Sequence, residues 1–280
     1  MSEPVAARLW LSSAGGAGKL ALALFTLLVL MALLGPGLVP YDPTATQPSV
    51  ALQTPSRLHL FGTDQLGRDV FSRVIASTAV DLGIAFTAVL ATLAIGTVIG
   101  AAAGWLGGWT DRIVSRLMDT IMAFPLFVLA VGIAAGLGNS VSSVVIATVI
   151  VNLPLYARQV RTEVNRRRNA GYVEAAKLAG IGSVSIVGLH ILPNLAPQLA
   201  VQSSLNMGWA ILNAAGLSFL GLGIRPPNPE WGIMVSEGAG YIISGEWWLF
   251  VFPGAMLLVA ILTFSLLGDA LRDRLDPRRR

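Results

Sequence analysis

The chain has 280 residues, of which 54% are hydrophobic and only 12% charged, and its mean hydropathy is +0.70. An ordinary soluble domain carries about 25% charged residues, so this composition excludes a water-facing globule and a disordered chain and points to an all-helical, polytopic membrane protein. With no cysteine and two histidines, His59 and His190, disulfides, thiolate metal sites and a histidine-rich metal cage are excluded as well.

A membrane-crossing helix needs about 20 mostly apolar residues. Six stretches qualify: 20–39, 79–103, 117–137, 141–156, one within 195–223, and 247–268. The first follows Lys19 and could be read as a cleaved leader. Gly35-Pro36-Gly37 and Pro40 follow it rather than a small-x-small cleavage site, so a retained span is expected. Residues 1–78 then comprise an N-terminal cytoplasmic segment, the first span and an external loop. Residues 79–280 form a five-helix core with a long inner loop at about 157–194.

With six spans and both termini inside, most of the 19 Lys and Arg residues fall on the inner side, and only Arg57, Arg68, Arg73 and Arg225 fall outside. That is the asymmetry of the positive-inside rule. The net charge of +4 is therefore explained by topology, and nucleic acid is not needed. The Arg166-Arg167-Arg168 run reads as a solvated, lipid-facing patch. Three prolines in Arg225-Pro226-Pro227-Asn228-Pro229 should stop the fifth helix and stiffen the loop 224–246.

Catalytic patterns are missing. Gly15-Gly16-Ala17-Gly18-Lys19-Leu20 has Leu20 where a phosphate loop needs Ser or Thr, and Ser13 where it needs Gly. There is no Gly-x-Ser-x-Gly elbow and no His-Glu-x-x-His pair. His190 has no partnered nucleophile and reads as an interfacial histidine.

The inner loop is more informative. Glu174, Ala175, Ala176, Lys177 and Leu178 are good helix formers, and Gly180 should end that short helix. Small alanines allow a close approach by another surface, and Leu192-Pro193 can start the next helix in a fixed direction. Glu174 to Pro193 reads E-A-A-x3-G-x9-H-x-L-P. This resembles the EAA loop of the membrane subunits of ABC importers, with His190 in the usual isoleucine position and Ile191 adjacent.

Further stretches are similar to permeases of the dipeptide, oligopeptide and nickel importer family, of the "C" type. They are Phe61-Gly62-Thr63-Asp64-Gln65-Leu66-Gly67-Arg68-Asp69-Val70-Phe71-Ser72-Arg73, then Leu217-Ser218-Phe219-Leu220-Gly221-Leu222-Gly223 with Pro226-Pro227 and Pro229-Glu230-Trp231-Gly232, and the tail from Gly268-Asp269 to Asp276-Pro277-Arg278. The resemblance covers about residues 20–280. It implies a type I importer permease in a bacterial or archaeal cytoplasmic membrane, paired with a homologous permease. Two ATPase subunits, which carry the ATP and magnesium, would dock on Glu174, Ala175, Ala176, Gly180, Leu192 and Pro193. An external binding protein would deliver a short peptide, or alternatively nickel or a nickel chelate, to the outer loop of Asp64, Arg68 and Asp69. Those three can also pair locally as a rigid turn. This chain would bind no cofactor or metal and catalyse no covalent step.

Within the membrane, Gln198, Gln202, Asn206 and Asn213 fall within about a quarter of the fifth helix's circumference, with Trp209 beside them. Amides in hydrocarbon must face water or a partner, so this stripe either lines a translocation path or joins helices. Gly96, Gly100 and Gly104 should let the second span pack closely against a neighbour. Asp81 and Asp119 sit near span ends, where they are expected to reach water, with Asp119 able to pair with Arg116. The lack of a deep carboxylate argues against an ion-driven secondary transporter.

Overall fold

The computed structural model describes residues 16–224 and 226–275. The N-terminal Arg8, loop Arg225 and the tail Asp276-Pro277-Arg278 lie outside the described residues. The ten helices used below are α1 (Gly16–Leu38), α2 (Val70–Leu106), α3 (Gly108–Met122), α4 (Leu126–Leu137), α5 (Val141–Arg167), α6 (Gly171–Leu178), α7 (Ser183–Asn194), α8 (Ala196–Phe219), α9 (Trp231–Ala239) and α10 (Trp248–Leu275). Four of them, α1, α2, α5 and α10, are long and apolar enough to cross a membrane singly. Two bent pairs, α3 with α4 and α7 with α8, raise the number to six if each is one span. No strand occurs among the described residues beyond an isolated bridge between Thr63 and Asp69.

Hydropathy locates the spans but underestimates the helices, because a helix continues past the hydrocarbon wherever it is capped or packed. The second was expected over 79–103 and runs over Val70–Leu106. Its start is set by Asp69, whose carboxylate accepts the Ser72 N–H at 2.8 Å, as an N-cap does. The fourth was expected to stop near 156 and runs to Arg167 straight through Pro154. Its polar extension is held by burying Ala157, Val160 and Val164. A Cβ placed on Gly96, Gly100 or Gly104 would lie 2.6, 2.4 and 2.6 Å from Tyr156 Cβ, Ala157 O and Arg161 O. The expected glycine stripe is therefore the contact between α2 and α5.

The third span is not the continuous helix expected over 117–137. Ala123, Phe124 and Pro125 interrupt it, and α3 meets α4 at 92°. Proline lacks an N–H and crowds the preceding turn, so a helix does not pass it without help from neighbours. Here α3 is held elsewhere: Asp111 pairs with Arg161, and Asp119 pairs with Arg158, both on α5, rather than with Arg116 on its own helix. The loop 224–246 is also not merely extended, since it contains α9. Glu230 starts α9 by accepting the N–H groups of Gly232 and Ile233, both at 2.8 Å.

The core divides along the bundle. Leu28, Ala85, Val89, Met207, Ile211, Ala260 and Phe264 join α1, α2, α8 and α10. Ile84, Ala134, Val144, Ala147, Ala214 and Leu217 join α2, α4, α5 and α8. One end is closed by Val70, Val74, Met234, Trp248 and Leu249. At the other, Val173, Ala176, Ile186, Ile191 and Leu195 close over Tyr156, Val160 and Val164.

Candidate functional site

The α6 end carries the loop for which docking was expected. α6 spans eight residues, and the chain leaves it through Gly180 at φ +77°, a left-handed conformation that costs a glycine nothing. Val173 and Ala176 face inward. Glu174, Ala175 and Lys177 face outward. Lys177 Nζ donates to Arg168 O at 3.1 Å and lies 5.2 Å from the centre of the Trp105 ring, which ties α6 to the ends of α5 and α2. In α7, Ile186 and Ile191 are buried in the same cluster, whereas Leu192 is half-buried and Pro193 exposed. A π turn over Ile186–Ile191 and a 3-10 turn over Leu192–Asn194 then turn the chain by 63° into α8. The outer surface of this rigid unit is apolar: Leu178, Val184 and Leu189 are 90%, 88% and 72% exposed.

At the opposite end Asp64, Arg68 and Asp69, expected in a rigid, locally paired loop that faces a binding protein, are 4%, 1% and 3% exposed. Arg68 Nε donates to Asp64 Oδ2 at 2.5 Å, and its other arm reaches Glu237 of α9 at 3.2 Å. Arg73, also buried, lies 3.5 Å from Asp64 Oδ2 and 3.7 Å from Glu237 Oε2, and donates to Pro43 O at 3.1 Å. Asp69 meets His59 Nδ1 at 2.9 Å while capping α2. Buried charges persist only when paired, so the side chains fold into a network that fixes the loop's shape. The local pairing foreseen for this loop is present between Arg68 and Asp64, in buried surroundings.

The amides of α8 separate into different surroundings. Gln198 and Gln202 line an open cleft of about 340 Å³ with Gln159, Arg272 and Leu275. Asn206 is buried; its Nδ2 lies 3.5 Å from the Tyr156 hydroxyl, which in turn donates to Ser203 Oγ at 3.1 Å. Trp209 is 63% exposed on the same side, and Asn213 is half-buried. The stripe thus serves both geometries, cleft wall at Gln198 and Gln202 and helix contact at Asn206.

Comparison with known proteins identifies the family. The family model described as the binding-protein-dependent transport system inner membrane component matches residues 96–280. A second, the N-terminal transmembrane domain of oligopeptide transport permease C, matches residues 17–55. This chain belongs to the binding-protein-dependent transport permease family. It is 41% identical over 257 residues to the dipeptide transport system permease protein DppC of Alkalihalophilus pseudofirmus, covering 92% of this chain and 84% of that one. It is 41% identical over 276 residues to the di/tripeptide transport system permease protein DppC of Pseudomonas aeruginosa, covering 96% and 91%. With the nickel transport system permease protein NikC of Escherichia coli it shares 40% over 259 residues, covering 92% and 93%.

The permease has site residues that sequence reasoning missed. Glu237 completes the network around Asp64 together with Arg73, which belongs to the quoted outer-loop stretch but was assigned no pairing, and no local pattern links positions so far apart in the chain. Asp81 was expected to reach water but is 1% exposed on the inner side of α2. Its Oδ2 accepts the Trp231 N–H at 3.2 Å. Residues 16–20, the second half of the phosphate-loop lookalike, form the start of α1.

Proposed function

We propose that this permease forms half of the translocation path of an ATP-driven importer of short peptides in the cytoplasmic membrane, with both termini and α6 on the cytoplasmic side. The observation that carries the reading is the exposed apolar surface of Leu178, Val184 and Leu189 beside Glu174, because it is backed by a rigid core. An ATPase subunit docks there through an apolar contact flanked by a basic group facing Glu174, and ATP with magnesium stays on the two ATPases. Ala175 and Ala176 keep the surface low, while Gly180 and Leu192-Pro193 fix its angle to α8. ATPase closure, transmitted through α7 into α8, tilts the paired bundles and alternates access. Gln198 and Gln202, with Trp209 and Asn213 on the same face, line the path beside a homologous permease, and the buried Asn206 backs that face through Tyr156. Carboxamides suit peptide groups because they exchange hydrogen bonds without holding a charge. The loop built on Asp64, Arg68 and Asp69 offers its shape to an extracytoplasmic binding protein. No covalent chemistry is assigned to this chain.

Glu174→Lys and Gly180→Asp test the reading: both should abolish uptake and ATPase co-purification while the permease stays in the membrane. Full transport in either would refute the docking role. Cysteines placed at Asn165 and Leu275 should react with impermeant reagent only from the cytoplasm; labelling from outside would overturn the orientation. The similarity to the nickel permease supports a second cargo, nickel or a nickel chelate. Uptake of labelled dipeptide against labelled nickel separates the two.

A further inference from the structure

The cleft beside Gln198 and Gln202 holds a cation that the fold leaves unused. Three helices meet just above it. The Tyr156 hydroxyl of α5 donates to Ser203 Oγ of α8 at 3.1 Å, and Ser204 Oγ of α8 donates to Phe264 O of α10 at 3.0 Å. α10 then passes so close at Gly268 that a Cβ there would lie 2.7 Å from Leu205 Cδ2. Toward the α6 end the same helices part around the cleft of about 340 Å³. α5 gives it Gln159, α8 gives Gln198 and Gln202, and α10 gives Arg272, with Val201 and Leu205 as an apolar wall. The arginines of α5 that flank Gln159 are already paired, Arg158 with Asp119 and Arg161 with Asp111. Among the described residues, Arg272 has no carboxylate partner, and no acidic side chain lines the cleft.

We propose that Arg272 binds the terminal carboxylate of the cargo, which makes this cleft a site for the C-terminal end of a short peptide. This role rests on the chain being a peptide permease, and it adds the residue by which the path tells a peptide from a metal cation. A free peptide carries a carboxylate at neutral pH, and the planar guanidinium matches it with two parallel hydrogen bonds. Each of the three glutamine carboxamides offers a donor and an acceptor, which a peptide group needs on its C=O and N–H sides. Pockets for small ligands enclose about 300–1,000 Å³, and this cleft stands at the small end of that range, which favours a short cargo. Arg272 is exposed, so water screens the pair and the cargo can leave. A bare nickel ion meets the reverse: a fixed positive charge, and no imidazole, thiolate or carboxylate to ligate it. A phosphate, free or on a lipid, would also engage the guanidinium. It brings no N–H for the carboxamide oxygens, so the three glutamines favour the peptide.

The test uses the full chain with its accompanying permease and ATPase subunits in phosphatidylcholine nanodiscs. The binding protein is left out, so that cargo meets the path directly. The probe is a dipeptide of alanine and a photoreactive leucine. Irradiation should label the segment around Gln198 and Gln202 or the end of α10. Dialanine should suppress that labelling about fivefold more effectively than dialanine amide, as one partly screened charge pair allows. Arg272→Gln should make the two competitors equal, and Arg272→Lys should keep most of the preference. Three results would each overturn the proposal: no labelling of the wild-type cleft, equal competition by acid and amide, or a preference that survives Arg272→Gln. The first two need no variant to fold. Loss of labelling when phosphatidylglycerol enters the nanodisc, or inorganic phosphate the buffer, would also overturn it by assigning Arg272 to a phosphate. Uptake of labelled dialanine into proteoliposomes with the binding protein present tests the underlying reading separately. A wild type that carries dialanine yet fails the competition test refutes the carboxylate site alone. One that carries nickel and not dialanine refutes the peptide reading and this site with it.

Discussion

The two ends of the bundle handle polarity in opposite ways. At the Asp64 end, two arginines and three carboxylates, Asp64, Asp69 and Glu237, turn inward and tie the loop 40–69 to α2 and α9. At the α6 end, Glu174 and Lys177 face outward, and large apolar side chains stand beside them in the open. An end that spends its charges on itself is built to keep one shape. Exposed apolar side chains occur at both ends, with Leu58 at 74% and Ile243 at 100% on the Asp64 side, so the placement of charge is what separates the two.

Four substitutions would break or sharpen that contrast. Arg73→Met leaves Asp64 and Glu237 buried with one cation fewer and should cost about 3–5 kcal/mol, read as a large fall in the thermal midpoint in nanodiscs. Gly100→Leu must force α5 away from α2, since even a Cβ would lie 2.4 Å from Ala157 O. Overpacking of this kind costs about 1–3 kcal/mol, and the same melting experiment measures it. Gly180→Ala imposes the left-handed conformation on a residue with a Cβ and should cost about 1–2 kcal/mol, seen as faster proteolysis at the loop. Leu178→Ser should move the midpoint by no more than about 0.5 kcal/mol, yet weaken ATPase retention during purification. If Arg73→Met proves as mild as Leu178→Ser, the two ends are not the opposites described here.

Much of the architecture is legible in the sequence because apolar length and glycine spacing are local signals. All six apolar stretches fall on helices, Gly96, Gly100 and Gly104 form the contact with α5, and the short helix before Gly180 is present at Gly171–Leu178. What escapes is decided by tertiary contacts. Nothing near Asp64 announces Glu237, and nothing near Asp81 announces the Trp231 N–H. The 92° break is foreshadowed by Pro125, but the apolar run continues through it and hides the turn. α9 is concealed behind the prolines before it, because its cap is a glutamate rather than the usual Ser, Thr, Asp or Asn. In α8, angular position groups the amides correctly, yet only the neighbour Tyr156 separates Asn206 from Gln202.

The unbroken course of α2 joins the two ends. Its 37 residues extend for about 55 Å at 1.5 Å per residue, well beyond the hydrocarbon thickness. Its first turns sit in the arginine network, and its last lie against the part of α5 that supports α6. Tipped by about 10°, a straight rod of that length carries its far tip sideways by roughly 10 Å. Small rotations at one face of the membrane would thereby arrive at the other as displacements the size of an amino-acid side chain.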